Sequence, residues 1–390
     1  MRWWLMVAVV VGALKASASV SAVTPVAPPA AILIDAQTGQ VLREQDADVS
    51  HPPGTLSHLL LLLLSLEEAA VGGVSLDASI AVSRPAALDA APSALTEKAR
   101  GVQLVNRIPL RSDKAYVLSD LLKATVVAGA DDAAVAVAEA LFGSLPAGVE
   151  AINARAQRLG MTATHFATIG RVTPAVPAGA DTTTARDLAR LAQMLAGHPQ
   201  VVQWTSVTGF PFDGGSIALR NVNSLVGTVA DVNGLFVAGT RAGGYSLVAT
   251  AQRGGLGLIA VVLAAADSVT RYRTGADLLT WGFAHYERLE IAHEDEPLNI
   301  PVRILSGSVT RLTPVAGRTF TLLRRRNEER DLELRYQIPA MLPAPLSRRE
   351  QIGEVIVQER GQLIAVIPLV SPIQVEATRL IPAAQAEPLP

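Results

Sequence analysis

Apolar and polar positions divide this chain into two unlike parts. Up to about Glu294 the apolar residues gather in long runs; from Leu298 onward they alternate with polar ones. In the first part, Ile32-Leu33-Ile34, then Gln37-Thr38-Gly39-Gln40, then Val41-Leu42 read as strand, tight turn and strand. Gly39 supplies the positive φ that such a turn needs. After Pro52-Pro53-Gly54, the stretch Leu56–Leu66 is mostly leucine, and a helix apolar nearly all round is a buried helix. Thr55 stands at the N-cap position of that helix. Ser119–Leu141 has helical composition with a break near Gly129, and Val149–Leu159 predicts a further helix. Thr182-Thr183-Thr184 precede a capped helix that continues through Leu195, with Gly197 as its stop signal. Ser246–Thr250 and Leu256–Ala265, joined by Gly254-Gly255, predict neighbouring antiparallel strands. Thr270–Tyr286 predicts a long amphipathic helix.

In the second part, period-two alternation recurs at Val302-Arg303-Ile304, Phe320-Thr321-Leu322, Leu332–Tyr336, Glu354–Val357 and Ala365–Ile367. Alternation at regular spacing, with turn residues between, predicts a small all-β domain at 296–376. The polar stretch Ile291–Leu298 reads as a linker, and the proline- and alanine-rich segment 377–390 as a loose tail.

Composition adds an address and several exclusions. Arg2, the apolar run Trp3–Leu14 and the small residues Ala16–Ala22 read as a secretory signal at 1–22, cleaved after Ala22 or Ala18. The run is short for a membrane span, which takes about 20 residues; an uncleaved N-terminal anchor is the other reading. Residues 23–30 form a proline-rich, extended lead-in. The chain has no cysteine, which excludes disulfides, thiol catalysis and cysteine metal sites. With 33 basic against 35 acidic residues, nothing marks a nucleic-acid binder. Arg324-Arg325-Arg326 is the one dense basic run and reads as a solvated strand end. The six histidines show no paired ligand spacing and Gly254–Gly257 lacks a P-loop lysine, so neither a metal nor a cofactor is expected. Asp131 and Asp132 read as acidic partners of a helix N-terminus.

The stretch Ile32–Leu60 resembles the opening of the serine D-alanyl-D-alanine carboxypeptidases, the low-molecular-mass penicillin-binding proteins of peptidase family S11. Six more patches are similar to that family and stand in its order: Gly160–Phe166, Thr182–Ala192, Leu219–Leu225, Ala242–Ala251, Leu278–Phe283 and Leu342–Gly353. The resemblance covers roughly Ala31–Ser371. It implies a transpeptidase domain of the β-lactamase and penicillin-binding-protein class at 31–290, α/β in the sense of an antiparallel sheet between helical layers, followed by a small all-β sandwich.

The family's chemistry rests on three motifs. Ser-x-x-Lys puts a nucleophile and its base on one helix face. Ser-x-Asn supplies a proton relay and a substrate contact. Lys-Thr-Gly on an edge strand supplies a cation and a backbone for the peptide. Matched to this chain, the first becomes Thr55-Leu56-Ser57-His58, the second Gly129-Ala130-Asp131, and the third Phe236-Val237-Ala238. Thr55 keeps a hydroxyl, but β-branching crowds attack. His58 is shorter than a lysine. Ser57 is another hydroxyl, although neighbours on a helix do not face each other. Gly129 has no hydroxyl, ionised Asp131 only accepts, and Phe236 brings an apolar ring where the family has a cation. Thr240 and Arg241 lie beside the third motif, and Arg241 is the nearest replacement cation.

The resemblance therefore implies an exported protein of the periplasm or cell envelope whose catalytic machinery is replaced. It would bind a peptidoglycan stem peptide or an envelope protein, with peripheral membrane association left open. The competing reading is an active serine-type carboxypeptidase using Thr55 or Ser57.

Overall fold

The computed structural model describes residues 29–87, 107–170, 180–240 and 243–378. The signal segment and the position of Arg241 lie outside these residues. The chain opens with the expected hairpin, β1 (Ala30–Asp35) and β2 (Val41–Gln45), turning through Gly39. A single 3-10 turn, Gly54–Leu56, leads into α1 (Ser57–Ala70). Thr55 lies inside that turn and forms no side-chain cap, so the N-cap reading is corrected; Pro53 occupies the cap of the turn, and its fixed φ starts it without a polar side chain. A small hairpin, β3 (Ser79–Ala81) with β4 (Ala115–Val117), precedes α2 (Leu118–Val127) and α3 (Asp131–Phe142). Gly129 forms the break between these helices. Then come α4 (Leu145–Arg158), α5 (Ala185–Ala196) and α6 (Pro199–Thr205). α5 is capped as expected, the Thr184 hydroxyl accepting from Asp187 N at 3.1 Å. A second hairpin pairs β5 (Gly209–Phe212) with β6 (Ile217–Arg220). Three long strands follow, β7 (Val232–Thr240), β8 (Gly244–Arg253) and β9 (Leu256–Ala265), and then α7 (Ser268–His285).

The central sheet has the order β2-β1-β9-β8-β7, antiparallel at every pairing. Its two faces are both covered, which is why the strands are apolar runs rather than alternating ones. Ile32, Ile34, Val248, Ile259 and Val261 face a core built on the leucine helix α1. Leu33, Leu247, Ala260 and Val262 face α7 through Leu278, Leu279 and Phe283. Leu59–Leu63 of α1 have no exposed surface, as a helix apolar all round requires.

The C-terminal part is all β. It consists of β10 (Tyr286–Ala292), β11 (Val302–Leu305), β12 (Arg311–Leu312), β13 (Val315–Ala316), β14 (Phe320–Arg325), β15 (Leu332–Gln337), β16 (Met341–Pro343), β17 (Gln351–Glu359) and β18 (Gln362–Val370). These pair as β10-β14, β12-β11-β16 and β13-β18-β17-β15.

Tyr286 is the first residue of β10, not the end of the preceding helix, and the chain passes from α7 into β10 with no loop. Within the expected linker, Ile291, Ala292 and Leu298 pack on the core of the C-terminal sheets. The basic run is anchored: Arg324 and Arg326 bind Glu287, and Arg325 donates to the Tyr286 hydroxyl at 3.2 Å. At the start of the expected loose tail, Ala377 bridges Gly307 and Thr378 N donates to Ser306 O; residues 379–390 lie outside the described ones.

Candidate active site

Three pieces of chain converge at one end of the central sheet. The turn before α1 abuts β7: a side chain at Gly54 would touch Ala238 Cβ and Gly239 N at 3.4 Å. α3 brings Asp131 to the start of α1. β7, the outer strand of the sheet, carries Phe236, Val237 and Ala238 past both. The matched positions of all three motifs therefore come together.

At their centre lies a buried pair. His58 Nε2 is 3.3 Å from Asp131 Oδ1, and the two side chains are 0% and 1% exposed. The Phe236 ring tilts against the imidazole with centroids 5.5 Å apart. Gly170 closes the top. A Cβ there would stand 2.9 Å from Asp131 Oδ1 and 3.2 Å from His58 Nε2, so glycine is what permits the approach. Gly170 N donates to Ser57 Oγ at 3.3 Å, and Ser57 is 1% exposed. Thr55 is 7% exposed, and among the described residues no hydrogen bond joins its hydroxyl to His58. His58 Nδ1 has no hydrogen-bond partner among them either. Asp131 is in the first turn of α3, as a dipole partner would be, but its carboxylate is also the neighbour of His58.

Asp132 points elsewhere. Its Oδ1 accepts from Ile108 N at 3.2 Å and Ala133 N at 3.0 Å, tying an incoming segment to α3. Burial pushes its carboxyl up to about 7, against the two amide bonds that favour the ionised form. Gly129 shapes the turn before α3 and brings no functional group. Thr240 sits at the far end of β7, opposite Gly244 across the hairpin.

One buried cation was not singled out in the sequence. Arg271 of α7 is 7% exposed and donates to Ala238 O at 3.1 Å and Ser246 O at 3.4 Å, binding the third-motif strand from behind. Its guanidinium lies 4.3 Å from the Tyr272 ring centroid, and burial holds its pKa below the ordinary arginine value. Arg271 shares the buried stripe of α7 with Gly275, Leu278, Leu279 and Gly282, a stripe that only the packing of α7 on the sheet defines.

Chemically, serine-type acyl transfer needs a hydroxyl in contact with a base and open to the substrate. Here the hydroxyls and the imidazole are buried, and the imidazole is turned to a carboxylate. Among the described residues no group of three or more His, Asp or Glu is arranged to hold a metal ion.

An antiparallel sheet between helical layers, with an all-β domain behind it, is the fold of the penicillin-binding proteins. Residues 16–267 match the family described as D-alanyl-D-alanine carboxypeptidase, and residues 286–377 match the C-terminal domain of penicillin-binding protein 5. The chain belongs to the D-alanyl-D-alanine carboxypeptidase family, peptidase S11. It is 28% identical to the D-alanyl-D-alanine carboxypeptidase DacC of Escherichia coli over 341 residues, 87% of this chain and 82% of that protein. Among solved structures it is similar to penicillin-binding protein 5 of Haemophilus influenzae, with TM-score 0.64 at 23% identity, covering 90% of this chain and 99% of that one. It is also similar to penicillin-binding protein D2 of Listeria monocytogenes in its ampicillin-bound form, with TM-score 0.56 at 27% identity, covering 65% of this chain and 96% of that one.

Proposed function

We propose that this chain is a catalytically inactive member of its family, exported to the cell envelope, that binds a peptidoglycan stem peptide without cleaving it. The observation that carries this reading is the His58–Asp131 pair, buried beneath Gly170 and Phe236. A base that faces a carboxylate and shares no hydrogen bond with the hydroxyl in the nucleophile position has no proton to take from it. Ser57 offers no substitute, since its hydroxyl is buried and already accepts from Gly170. What remains usable is the outer edge of β7, a backbone against which an extended peptide can pair. With Phe236 in place of a cation, a free terminal carboxylate finds no charge there to offset its desolvation.

A stem peptide ending in D-Ala-D-Ala tests both halves. We expect no release of D-alanine above the uncatalysed rate. Calorimetric titration should give affinities for the free-acid and amidated peptides within about fivefold of each other, less than a charged hydrogen bond is worth. D-alanine release that disappears in Thr55→Ala would overturn the inactive reading. A strong preference for the free acid would overturn the loss of carboxylate recognition.

A further inference from the structure

We propose that the outer strand β15 is a self-pairing surface, through which two copies of this chain join their C-terminal sheets into one antiparallel sheet. β15 ends the four-stranded sheet, and among the described residues β17 is its one sheet neighbour. All of its residues after Leu332 are exposed. Such an edge is a ready template for another strand unless something covers it.

The sequence of β15 names the strand that fits. Leu332-Glu333-Leu334-Arg335-Tyr336 is complementary to itself when reversed. A two-fold axis through Leu334 sets Leu334 against the partner's Leu334, Glu333 against the partner's Arg335, and Leu332 against the partner's Tyr336. Each protomer then contributes one residue to each of two opposite-charge pairs across the junction, an arrangement that favours pairing. In the single chain, Glu333 and Arg335 bind each other at 2.9 Å on the exposed face, with side chains 55% and 60% exposed, so both are free to exchange partners.

The other face of the strand points the same way. Leu334 and Tyr336 are 38% and 47% exposed. They stand at the mouth of a cavity of about 400 Å3 whose floor is Val355, Ile367 and Leu369. Antiparallel pairing keeps the inner faces of both sheets on one side. The partner's Leu334 and Tyr336 thus extend this apolar layer over the open mouth. The contact is small, and interfaces under about 1,200 Å2 belong to weak, transient complexes, so self-association should depend on concentration.

The absence of cysteine permits a direct test on the full-length protein. Opposed residues in an antiparallel pair have Cα atoms about 4.5–5.5 Å apart, within disulfide range, whereas a two-residue offset is too far. Leu334→Cys should therefore give a disulfide dimer under mild oxidation, and Glu333→Cys should give little. Sedimentation of the unmodified protein over about a hundredfold concentration range should show a monomer–dimer equilibrium. Glu333→Arg or Arg335→Glu alone should weaken the dimer about tenfold, because each opposes like charges; the double reversal should restore it. These side chains are exposed, so circular dichroism should be unchanged. A monomer at every concentration, equal cross-linking of both cysteine variants, or no recovery in the double reversal would each overturn the proposal.

Discussion

Two acid–base contacts among the described residues are buried on both sides, and they are built differently. At the junction with the C-terminal part, Arg288 of β10 donates to Asp35 Oδ1, with side chains 3% and 0% exposed. The second oxygen of Asp35 accepts from Thr38 N at 2.9 Å and from the Thr38 hydroxyl at 2.6 Å. Both oxygens of that carboxylate are therefore served, and an arginine keeps its charge at every relevant pH. Between α1 and α3, His58 and Asp131 meet at 3.3 Å, neither imidazole nitrogen has a hydrogen-bond partner among the described residues, and a ring and a glycine fill the rest. The first pair fixes where two domains sit. The second lies between α1, α3 and β7, covered by Phe236 and Gly170.

The largest effect should fall at the junction. Arg288→Met leaves Asp35 charged and buried, and breaking a buried pair on one side costs about 3–5 kcal/mol. Urea unfolding should show this loss, and Asp35→Asn added to Arg288→Met should recover most of it. A loss under about 1 kcal/mol would mean that the junction opens to water. The central pair should be less costly. His58→Leu should destabilise by about 1–3 kcal/mol, the penalty of leaving Asp131 without its buried neighbour. The double change His58→Leu, Asp131→Leu should lie within about 1 kcal/mol of the parent, since apolar replacement of a buried pair is close to neutral. If His58→Leu proves as costly as Arg288→Met, the contrast between the two pairs fails.

Beside the central pair, Asp132 sharpens the comparison through pH. Burial raises its folded-state pKa to about 7 from an unfolded value near 3.8. The folded protein therefore holds a proton between these values that the unfolded chain has released. Stability from this group is complete below about pH 4 and declines as pH rises toward 7, by at most about 1.4 kcal/mol per pH unit. Urea midpoints from pH 5 to 8 should fall in the parent and flatten in Asp132→Asn. A parent curve that rises over this range, with no change in the variant, would contradict the assignment.

The smallest effect belongs to Thr55. Its hydroxyl has no described hydrogen bond to His58 and caps no helix, so Thr55→Ala removes little more than a buried methyl group, worth about 1 kcal/mol or less. Thermal unfolding would reveal a larger loss, and with it a hydrogen-bonded role for the hydroxyl.

The two pairs also mark what the sequence could disclose. Features set by neighbours in the chain were legible: the turn at Gly39, the leucine helix, the break at Gly129, the Thr184 cap and the neighbouring strands joined by Gly254-Gly255. Their signals are local propensity and periodicity, and the same forces act in the fold. The N-cap at Thr55 misled because Pro53 starts a 3-10 turn one residue earlier, a choice of backbone geometry that composition does not encode. The helix end at Tyr286 was missed because β10 continues from α7 without a turn residue, and its strand character comes from pairing with distant β14. At the site, the sequence singles out His58 and Asp131 but not their contact, which depends on how α1 and α3 pack. Arg271 was hidden because an arginine on an amphipathic helix reads as polar surface until the sheet beneath it is known. The Asp35–Arg288 pair left no mark in the sequence, because only the fold brings these distant residues together.

An inactive centre at His58 and Asp131 cannot form an acyl-enzyme. Intact-mass measurement after incubation of the full chain with a fluorescent penicillin addresses this directly. The mass should remain that of the unmodified protein, with no fluorescent band on a denaturing gel. A stoichiometric increase equal to the penicillin, mapping to Thr55 or Ser57, would contradict it and return the chain to the active enzymes of its family.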